Sequence, residues 1–176
     1  MSEQYYPPGA FYFTVKVFGS ALLLSAITDI DGSFQEVSGI QSAFETEEVV
    51  EGGENRYVHR LPRITKYSNL VLKRGIVTTD SFLSEWAGLT VGSSLALPVI
   101  TQNLLVSLLN ESGWPSIVWA FFNAYPVRWE VGAMNSEQNQ ILTETLEFSY
   151  TYFERVVLGS PLSAAAKLAA LTARLA

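Results

Sequence analysis

Apolar and polar residues alternate with a period of two in several segments of this chain. Residues 11–17 alternate Phe and Val with Tyr, Thr and Lys, and residues 142–152 alternate Leu, Phe and Tyr with Thr, Glu and Ser. Successive side chains of a β-strand point to opposite faces, so this period indicates strands with one buried face. The pattern recurs at residues 70–73. Together these segments predict a mainly β fold.

Further strands are predicted where β-branched and aromatic residues lie between turn signals. These segments are residues 22–27, 33–40, 99–109 and 117–131. Gly39, inside the second segment, indicates a bulge or the close approach of another backbone. The fourth segment is apolar at both parities over residues 117–122, so we expect that end of the strand to be buried on both faces.

One short amphipathic helix is predicted in the middle of the chain. Asp80 is a candidate N-cap because its carboxylate can accept a hydrogen bond from a first-turn amide, and Gly88 is a candidate stop signal. Residues 159–176 begin with Gly-Ser-Pro and are rich in Ala, which predicts a helical C-terminal extension. The predicted fold class is mainly β: a single β-barrel or sandwich domain over residues 1–158, with one flanking short α-helix.

The composition argues against several classes of function. The chain has 176 residues and a net charge of -6, and general binding to phosphate backbones needs clustered Lys and Arg, so nucleic acid is not an expected partner. The absence of cysteine rules out disulfides and thiolate metal sites. The N-terminal residues lack the pattern of a cleaved signal, and no apolar run approaches the ~18 residues of a spanning helix. Export by a signal peptide and membrane insertion are therefore not expected.

The charges reverse sign on either side of a paired glycine, which predicts a hairpin with an unusual distribution of charge. Five acidic residues lie at positions 45–54, around Gly52 and Gly53, and basic residues follow from Arg56 onward. Consecutive glycines can adopt the positive φ angles of a hairpin turn. Two interpretations remain open: a solvated hairpin with compensating ion pairs, or an acidic patch that meets a basic patch on the next subunit. The candidate inter-subunit contact residues are Glu45, Glu47, Glu48, Glu51, Gly52, Gly53, Arg56, Arg60, Arg63 and Lys66.

No motif in the chain predicts catalysis, a cofactor or a metal. His59 is the only histidine, no nucleophile elbow accompanies it, and the residues around it in the sequence offer no carboxylate to orient the ring. The Asp-Ile-Asp-Gly segment at residues 29–32 lacks the spacing of a calcium loop and reads as a turn. Glu144 and Glu147 are expected on opposite faces of one strand, so they cannot act as an acid-base pair. We expect Glu144 to pair with an arginine of this chain or of a neighbouring subunit.

An ordered set of motifs resembles the tail-tube proteins of contractile phages and of extracellular contractile injection systems, a family similar in fold to the haemolysin-coregulated tube protein of type VI secretion. The resemblance runs from about Pro8 to Phe153. The matching segments are residues 34–39 (FQEVSG), 51–53 (EGG) with Asn55, 61–62 (LP), 66–75 (KYSNLVLKRG), Trp86, 123–129 (NAYPVRW) and 143–147 (TETLE). Two features depart from the family: Arg63 follows Leu-Pro where glycine is frequent, and the tail from Gly159 onward is longer than the common pattern.

The resemblance implies a structural subunit rather than an enzyme. Its expected partners are further copies of itself, in hexameric rings stacked into a tube with a lumen, together with sheath, baseplate and terminator proteins and cargo in the lumen. It also implies synthesis in a bacterial cytoplasm and a final place in a phage tail or an injection particle that drives the tube through a target membrane. The hairpin around Gly52 and Gly53 then becomes a candidate contact with the adjacent ring.

Several alternatives stay open at the level of sequence. A small-ligand-binding β-barrel would have the same strand pattern, but it predicts a monomer with an enclosed apolar pocket. An enzyme centred on His59 predicts an activity that is lost in His59→Ala. Phage and injection particle are not distinguished, and neither are the main tube subunit and a paralogue near the baseplate.

Overall fold

The computed structural model describes residues 13–18, 34–53, 56–76, 81–110, 113–134 and 141–158, together with Lys167 and Ala170. Within these residues the chain forms nine strands and one continuously described helix, and Lys167 and Ala170 are also helical. They are β1 (Phe13–Phe18), β2 (Glu36–Ser38), β3 (Ser42–Val49), β4 (His59–Tyr67), β5 (Leu70–Gly75), α1 (Phe82–Gly92), β6 (Gln102–Leu109), β7 (Pro115–Val131), β8 (Thr143–Ser149) and β9 (Tyr152–Val157). The predicted strand at residues 22–27, the candidate cap Asp80 and most of the C-terminal extension lie outside the described residues.

Seven strands form one antiparallel sheet, and the remaining two form a separate hairpin. The strand order in the large sheet is β1-β6-β7-β8-β5-β2, and β9 pairs with β7 beside this path. The separate sheet consists of β3 and β4 alone. The strands β1 and β2 are therefore the two edges of the main path.

The long strand β7 changes partners near its middle, and this change shapes the domain. Its first part pairs with β6 and β9, and its second part pairs with β8. A bulge separates the two parts, and Asn123 has a positive φ of 53° there. The Asn123 backbone N–H donates to Asn103 Oδ1 at 3.0 Å, which holds this left-handed residue in place. Bulges bend a strand and increase its twist, so one strand can pair with both halves of the main sheet.

The apolar run at residues 117–122 is buried on both faces, as predicted. Phe121 belongs to the main core with residues of β1, β5, β6, β8 and α1. Val118, Ala120 and Phe122 lie in a second cluster with Leu105 and Leu158. Each parity of the strand thus contributes to a different core.

The close backbone approach predicted at Gly39 is confirmed. Gly39 has φ +82°, and a Cβ at this position would lie 1.9 Å from the backbone oxygen of Asn69. No side chain fits that space, so glycine is required both by the backbone angle and by the contact. The strand predicted over residues 33–40 is shorter than expected and includes only Glu36–Ser38.

Three predictions of element boundaries were wrong for identifiable reasons: the end of the helix, its N-cap and the last strand. The helix continues past Gly88 to Gly92, because a glycine ends a helix only where the backbone turns left-handed, and Gly88 is not among the positive-φ residues. The N-cap is Ser81, whose hydroxyl accepts a hydrogen bond from the Ser84 N–H. The strand predicted as continuous over residues 142–152 breaks after Ser149, since β8 and β9 pair with different parts of the bent β7.

Among the described residues, no helix has both the length and the apolar character needed to cross a bilayer.

Candidate functional site

The β3–β4 hairpin, called the arm below, extends as a two-stranded sheet whose residues are largely exposed. Every residue of β3 is exposed, and so are the first six residues of β4. At its base, Tyr67 packs against Tyr150 and Phe153, with ring centroids 5.9 and 5.7 Å apart. An isolated two-stranded sheet is marginal in water because neither face is covered. The arm is therefore a candidate for contact with another molecule.

The charges that reverse sign in the sequence face one another across the arm. Within the hairpin, ion pairs or close polar contacts join Arg60 Nε to Glu48 Oε1 (3.3 Å), Arg63 Nε to Glu47 Oε2 (3.6 Å), Lys66 Nζ to Glu45 Oε1, and His59 Nε2 to Glu51 Oε1 (3.6 Å). These partners remain well exposed, so each pair contributes little to stability. The compensating pairs of the first interpretation are therefore present, and they reduce the charge that the arm can offer to a partner.

The turn residues Gly52 and Gly53, with Arg56, complete the predicted contact set, and His59 lies close to them on the arm. The expectation that no carboxylate lies near His59 was wrong, because the hairpin brings Glu51 close to it from across the turn. Gly52 and Gly53 form the turn, with φ +97° at Gly53, and Arg56 follows as an exposed residue. All ten predicted contact residues thus lie on one protruding element.

Large apolar side chains are exposed on the arm between these charged pairs. Ile64 is 78% exposed, Phe44 67% and Leu61 53%. Positions 45, 47 and 49 of β3 share one face of the arm, and Leu61 lies on this face because it is opposite Glu47. Phe44 and its partner Thr65 lie on the other face. Ile64, the neighbour of Thr65, therefore lies on the same face as Leu61. This face also carries Glu45 and Glu47, so Leu61 and Ile64 are exposed among charged side chains, and the charge pattern of the sequence did not predict their exposure. Exposed apolar groups close together indicate an interaction surface.

A second group of charges is buried where β5, β7, β8 and α1 meet. Arg74 and Glu144 lie directly opposite each other on β5 and β8, and Arg74 Nε donates to Glu144 Oε2 at 2.9 Å. Their side chains are only 1% and 4% exposed. The arginine expected to pair with Glu144 therefore belongs to the same chain.

Hydroxyl and indole donors complete the surroundings of this buried pair. Ser84 Oγ and Trp129 Nε1 both donate to Glu144 Oε1 at 2.7 Å, and the Arg74 guanidinium also donates to Ser81 Oγ. Burial raises the pKa of the Glu144 carboxyl, but the hydrogen bonds from Ser84, Arg74 and Trp129 and the charge of Arg74 outweigh burial, so its pKa lies below the usual value. Because Ser81 is the N-cap of α1 and Ser84 lies in its first turn, this buried network holds the start of the helix against the sheet.

The other residues considered for catalysis or metal binding do not lie together in one site. Glu147 lies on the opposite face of β8 from Glu144, as predicted, and accepts a hydrogen bond from Asn69 Nδ2 at 2.8 Å. In the part of the chain that the structure describes, no three His, Cys, Asp or Glu residues are grouped to hold a metal ion. A partly open apolar groove of about 310 Å³ lies beside Phe13, Val37 and Trp119, near the edge strands.

Comparison with known proteins identifies the family. Residues 9–154 match the model of the T4-like virus tail tube protein gp19 family. A search of curated proteins gave no match. A chain of the cryo-EM structure of the anti-feeding prophage (AFP) baseplate, 6-fold symmetrised, is 27% identical and superposes with a TM-score of 0.72, covering 89% of this chain and 99% of that one.

More distant structures share the fold. A chain of the PVC extracellular contractile injection system, in its sheath-tube complex in the extended state, is 21% identical, with a TM-score of 0.69 over 87% of this chain and 93% of that one. Hcp1 from Flavobacterium johnsoniae is 15% identical, with a TM-score of 0.52 over 84% of this chain and 97% of that one. Since the family model spans most of the chain, this protein belongs to the T4-like virus tail tube protein gp19 family and is a tail tube protein.

Proposed function

We propose that this protein is the repeating subunit of the inner tube of a contractile phage tail or injection particle. Subunits form hexameric rings, and the rings stack around a lumen that serves delivery through a target membrane. The observation that carries the proposal is the arm, which has both faces exposed and extends from a chain of the tail tube family. The six-fold symmetry of the particle that contains the 27% identical chain supports the ring.

The main sheet supplies a second reason for assembly. Its edge strands β1 and β2 each have only one neighbour within the described sheet. Unpaired strand edges expose N–H and C=O groups that favour association with other strands. If sheets of neighbouring subunits join side by side around a ring, these N–H and C=O groups form hydrogen bonds between subunits.

The arm contacts a neighbouring subunit, in the adjacent ring. Its charged residues form the rim of this contact, and its exposed apolar residues provide most of the free energy. Burying a side chain such as Ile64 or Leu61 contributes about 1.5–3 kcal/mol, whereas an exposed ion pair contributes about 0–1 kcal/mol. This proposal keeps the ten predicted contact residues but moves the main energetic role to the apolar residues between them.

The protein acts without catalysis, alongside sheath, baseplate and terminator proteins of its own particle and with cargo carried in the lumen. The family description is that of a structural protein. A small-ligand carrier is the second candidate from the sequence, and the family match does not favour it. The protein is synthesised in a bacterial cytoplasm and is then incorporated into the particle.

The C-terminal extension at residues 159–176 is proposed to form a helix that packs on the lumen or on the outer wall. Of its described residues, Lys167 donates from Nζ to the Val157 oxygen at 2.9 Å, which supports packing beside the end of β9. Deleting residues 160–176 is expected to change subunit stability, cargo content or sheath binding. A truncated protein that is unchanged in all three would contradict this role.

Electron microscopy of the purified full-length protein tests the proposed function. We expect six-fold rings or stacked tubes at high protein concentration. A uniform monomer under the same conditions would contradict the proposal, and a monomer that retains a small apolar molecule in native mass spectrometry would favour the ligand-carrier alternative. An activity that disappears in His59→Ala would favour the enzyme.

A further inference from the structure

The second apolar cluster of the main sheet lies on the face opposite the main core. Its buried members are Leu105, Val118, Ala120, Phe122 and Leu158. Tyr152 and Val156 of β9 pack against them. The helix α1 adds its buried residues to the main core instead. Since successive side chains of β7 point to opposite faces, the second cluster is separated from α1 by the sheet.

The second cluster is too well buried to be a bare sheet face. Val118 and Ala120 are both 0% exposed. Neighbours within a sheet surround a side chain laterally, but its outer end stays open to water unless another layer packs on top. Among the described residues, the members of the cluster all come from β6, β7, β9 and Leu158. A covering layer is therefore expected from another part of the chain.

The C-terminal extension at residues 159–176 begins at this cluster. Leu158, the residue before it, is buried in the cluster. Further along the extension, Lys167 and Ala170 are helical. Lys167 Nζ donates to the Val157 oxygen at 2.9 Å, across ten positions of the chain. The extension therefore leaves the sheet at the second cluster and returns to the end of the same strand.

The contact of Lys167 lies at the outer edge of β9. Within the described sheet, β9 pairs only with β7. The Leu158 N–H donates to the Ser116 oxygen across this pair. Because the backbone groups of alternate residues point to opposite sides of an antiparallel strand, the Val157 oxygen points away from β7. Lys167 thus binds an edge carbonyl that is otherwise open to pairing with a foreign strand.

The sequence of the extension is suited to covering an apolar face. In a helix, Leu168, Leu171 and Leu175 follow one stripe at spacings of three and four. Lys167 and Ala170 are exposed and three positions apart, so they mark another side of that helix. A helix of about 14 residues is about 21 Å long, and a strand of six residues such as β9 is about 20 Å long. Since a helix this short is marginal in water, it needs a surface to pack on.

We propose that residues 159–176 fold back on their own subunit, with the leucine stripe packed on the second cluster and Lys167 bound at the edge of β9. The inference rests on the helix proposed above for the extension, and it replaces the lumen or the outer wall by one face of the subunit's own sheet. Tube assembly is not required, because both surfaces belong to one chain. The family model ends at residue 154, so the family match does not supply this cover.

Thiol labelling of the full-length free subunit, at a concentration below that of assembly, tests this cover. The chain has no cysteine, so an introduced thiol is labelled specifically. Ala120→Cys places a thiol in the second cluster and Ala124→Cys places one in the main core, and both positions are 0% exposed. We expect both thiols to resist maleimide. Adding Leu168→Asp should speed labelling at position 120 about tenfold or more and leave position 124 protected.

The matched control is Ala170→Asp, which adds the same charge at an exposed position of the extension. It should leave the thiol at position 120 protected. Continued protection of position 120 in the Leu168→Asp background would overturn the proposal and assign the cover to another segment, such as residues 19–33. Equal labelling at positions 120 and 124 would also overturn it, because the extension would then support the whole subunit rather than one face.

A second measurement locates the extension directly through two exposed positions. In Ala170→Cys/Val157→Cys, a short bis-maleimide should link the two thiols within one chain, giving a cross-linked monomer in dilute protein. The control Ala170→Cys/Leu89→Cys pairs the extension with an exposed residue of α1, which lies beyond the sheet, and should give no internal link. A link that forms only between two chains would overturn the proposal in favour of exchange of the extension between copies.

These outcomes are separate from the test of tube formation. Tubes in electron microscopy, together with a thiol at position 120 that Leu168→Asp leaves protected, would overturn the cover while the tube function stands. A wild-type monomer whose thiol at position 120 is uncovered by Leu168→Asp alone of the two aspartate variants would support the cover and overturn the proposed function.

Discussion

In the arm and in the core, acidic and basic residues pair across neighbouring antiparallel strands, but the two sets of pairs lie in different surroundings. Arg60 and Glu48 of the arm are 70% and 59% exposed, whereas Arg74 and Glu144 are 1% and 4% exposed. Water screens the first pair and lets it rearrange at little cost. The buried pair has lost its water and depends on each partner and on the surrounding donors.

This difference assigns the two regions different roles. The exposed pairs leave the arm nearly neutral, so it can enter an interface without an unpaired charge. The buried pair holds β5, β8 and the first turn of α1 in one arrangement. Under the proposed function, the body supplies the fixed geometry of the subunit and the arm supplies a surface for contact with a neighbour.

Removing one member of the buried pair is expected to have the largest effect. In Arg74→Met the Glu144 carboxylate stays buried without its counter-charge, which should lower the free energy of unfolding of the free subunit by about 3–5 kcal/mol. Urea unfolding followed by circular dichroism measures this. The matched control Arg60→Met removes an exposed partner and should cost about 1 kcal/mol or less. Equal losses in the two variants would show that burial does not distinguish the pairs.

The buried pair also predicts that the stability of the subunit depends on pH. Because the pKa of Glu144 is lowered in the folded protein from its ordinary 4.5, its contribution to stability is present above that value and is lost as pH falls through the folded pKa. Unfolding midpoints measured from pH 7 downward should decline at acidic pH, and the decline should be smaller in Glu144→Gln. A parallel decline in the variant would assign the acid sensitivity to other groups.

Reversing the charges of the arm is expected to have the smallest effect on the free subunit and a visible effect on assembly. Glu47→Lys/Glu48→Lys/Glu51→Lys sets like charges opposite each other, which should cost the subunit about 1 kcal/mol and shorten the tubes seen by electron microscopy. Unchanged tube length would contradict the role of the arm in contacts between subunits.

A variant in which the acidic and basic positions of the arm are exchanged separates pairing within the arm from contact with another subunit. Adding His59→Glu, Arg60→Glu and Arg63→Glu to the triple variant restores opposite charges across the hairpin. Recovery of tube length would show that pairing within the arm is what matters. Continued shortening would show that the arm's charges contact oppositely charged groups on another subunit, and would revive the acidic-to-basic contact considered from the sequence.

Local pattern was enough to predict most of the strands. The alternation at residues 70–73, the two-sided apolar run at residues 117–122 and the glycine turn at Gly52 and Gly53 all have local physical causes, and all three appear in the structure. Gly39 was also identified from its position inside a strand pattern, and the contact with Asn69 explains it. The motifs that resemble tail-tube proteins led to the family that the family model identifies.

Features that depend on strand register were not predictable. The pairing of Arg74 with Glu144 spans 70 positions in the chain, and nothing local sets which residues of β5 and β8 lie opposite each other. The break between β8 and β9 follows from the bend in β7, a strand far from it in sequence. The exposure of Leu95 could not be read from its apolar character, which alone would predict burial.

The sequence by itself determined the mainly β class, the hairpin with its reversal of charge and the resemblance to tail-tube proteins, because periodicity, turn residues and motifs are local properties of the chain. Only the tertiary structure decided which charges are buried and which are exposed. Burial depends on how distant strands pack, and it determines whether an ion pair fixes the body, as Arg74 and Glu144 do, or leaves the arm available for a neighbour, as Arg60 and Glu48 do.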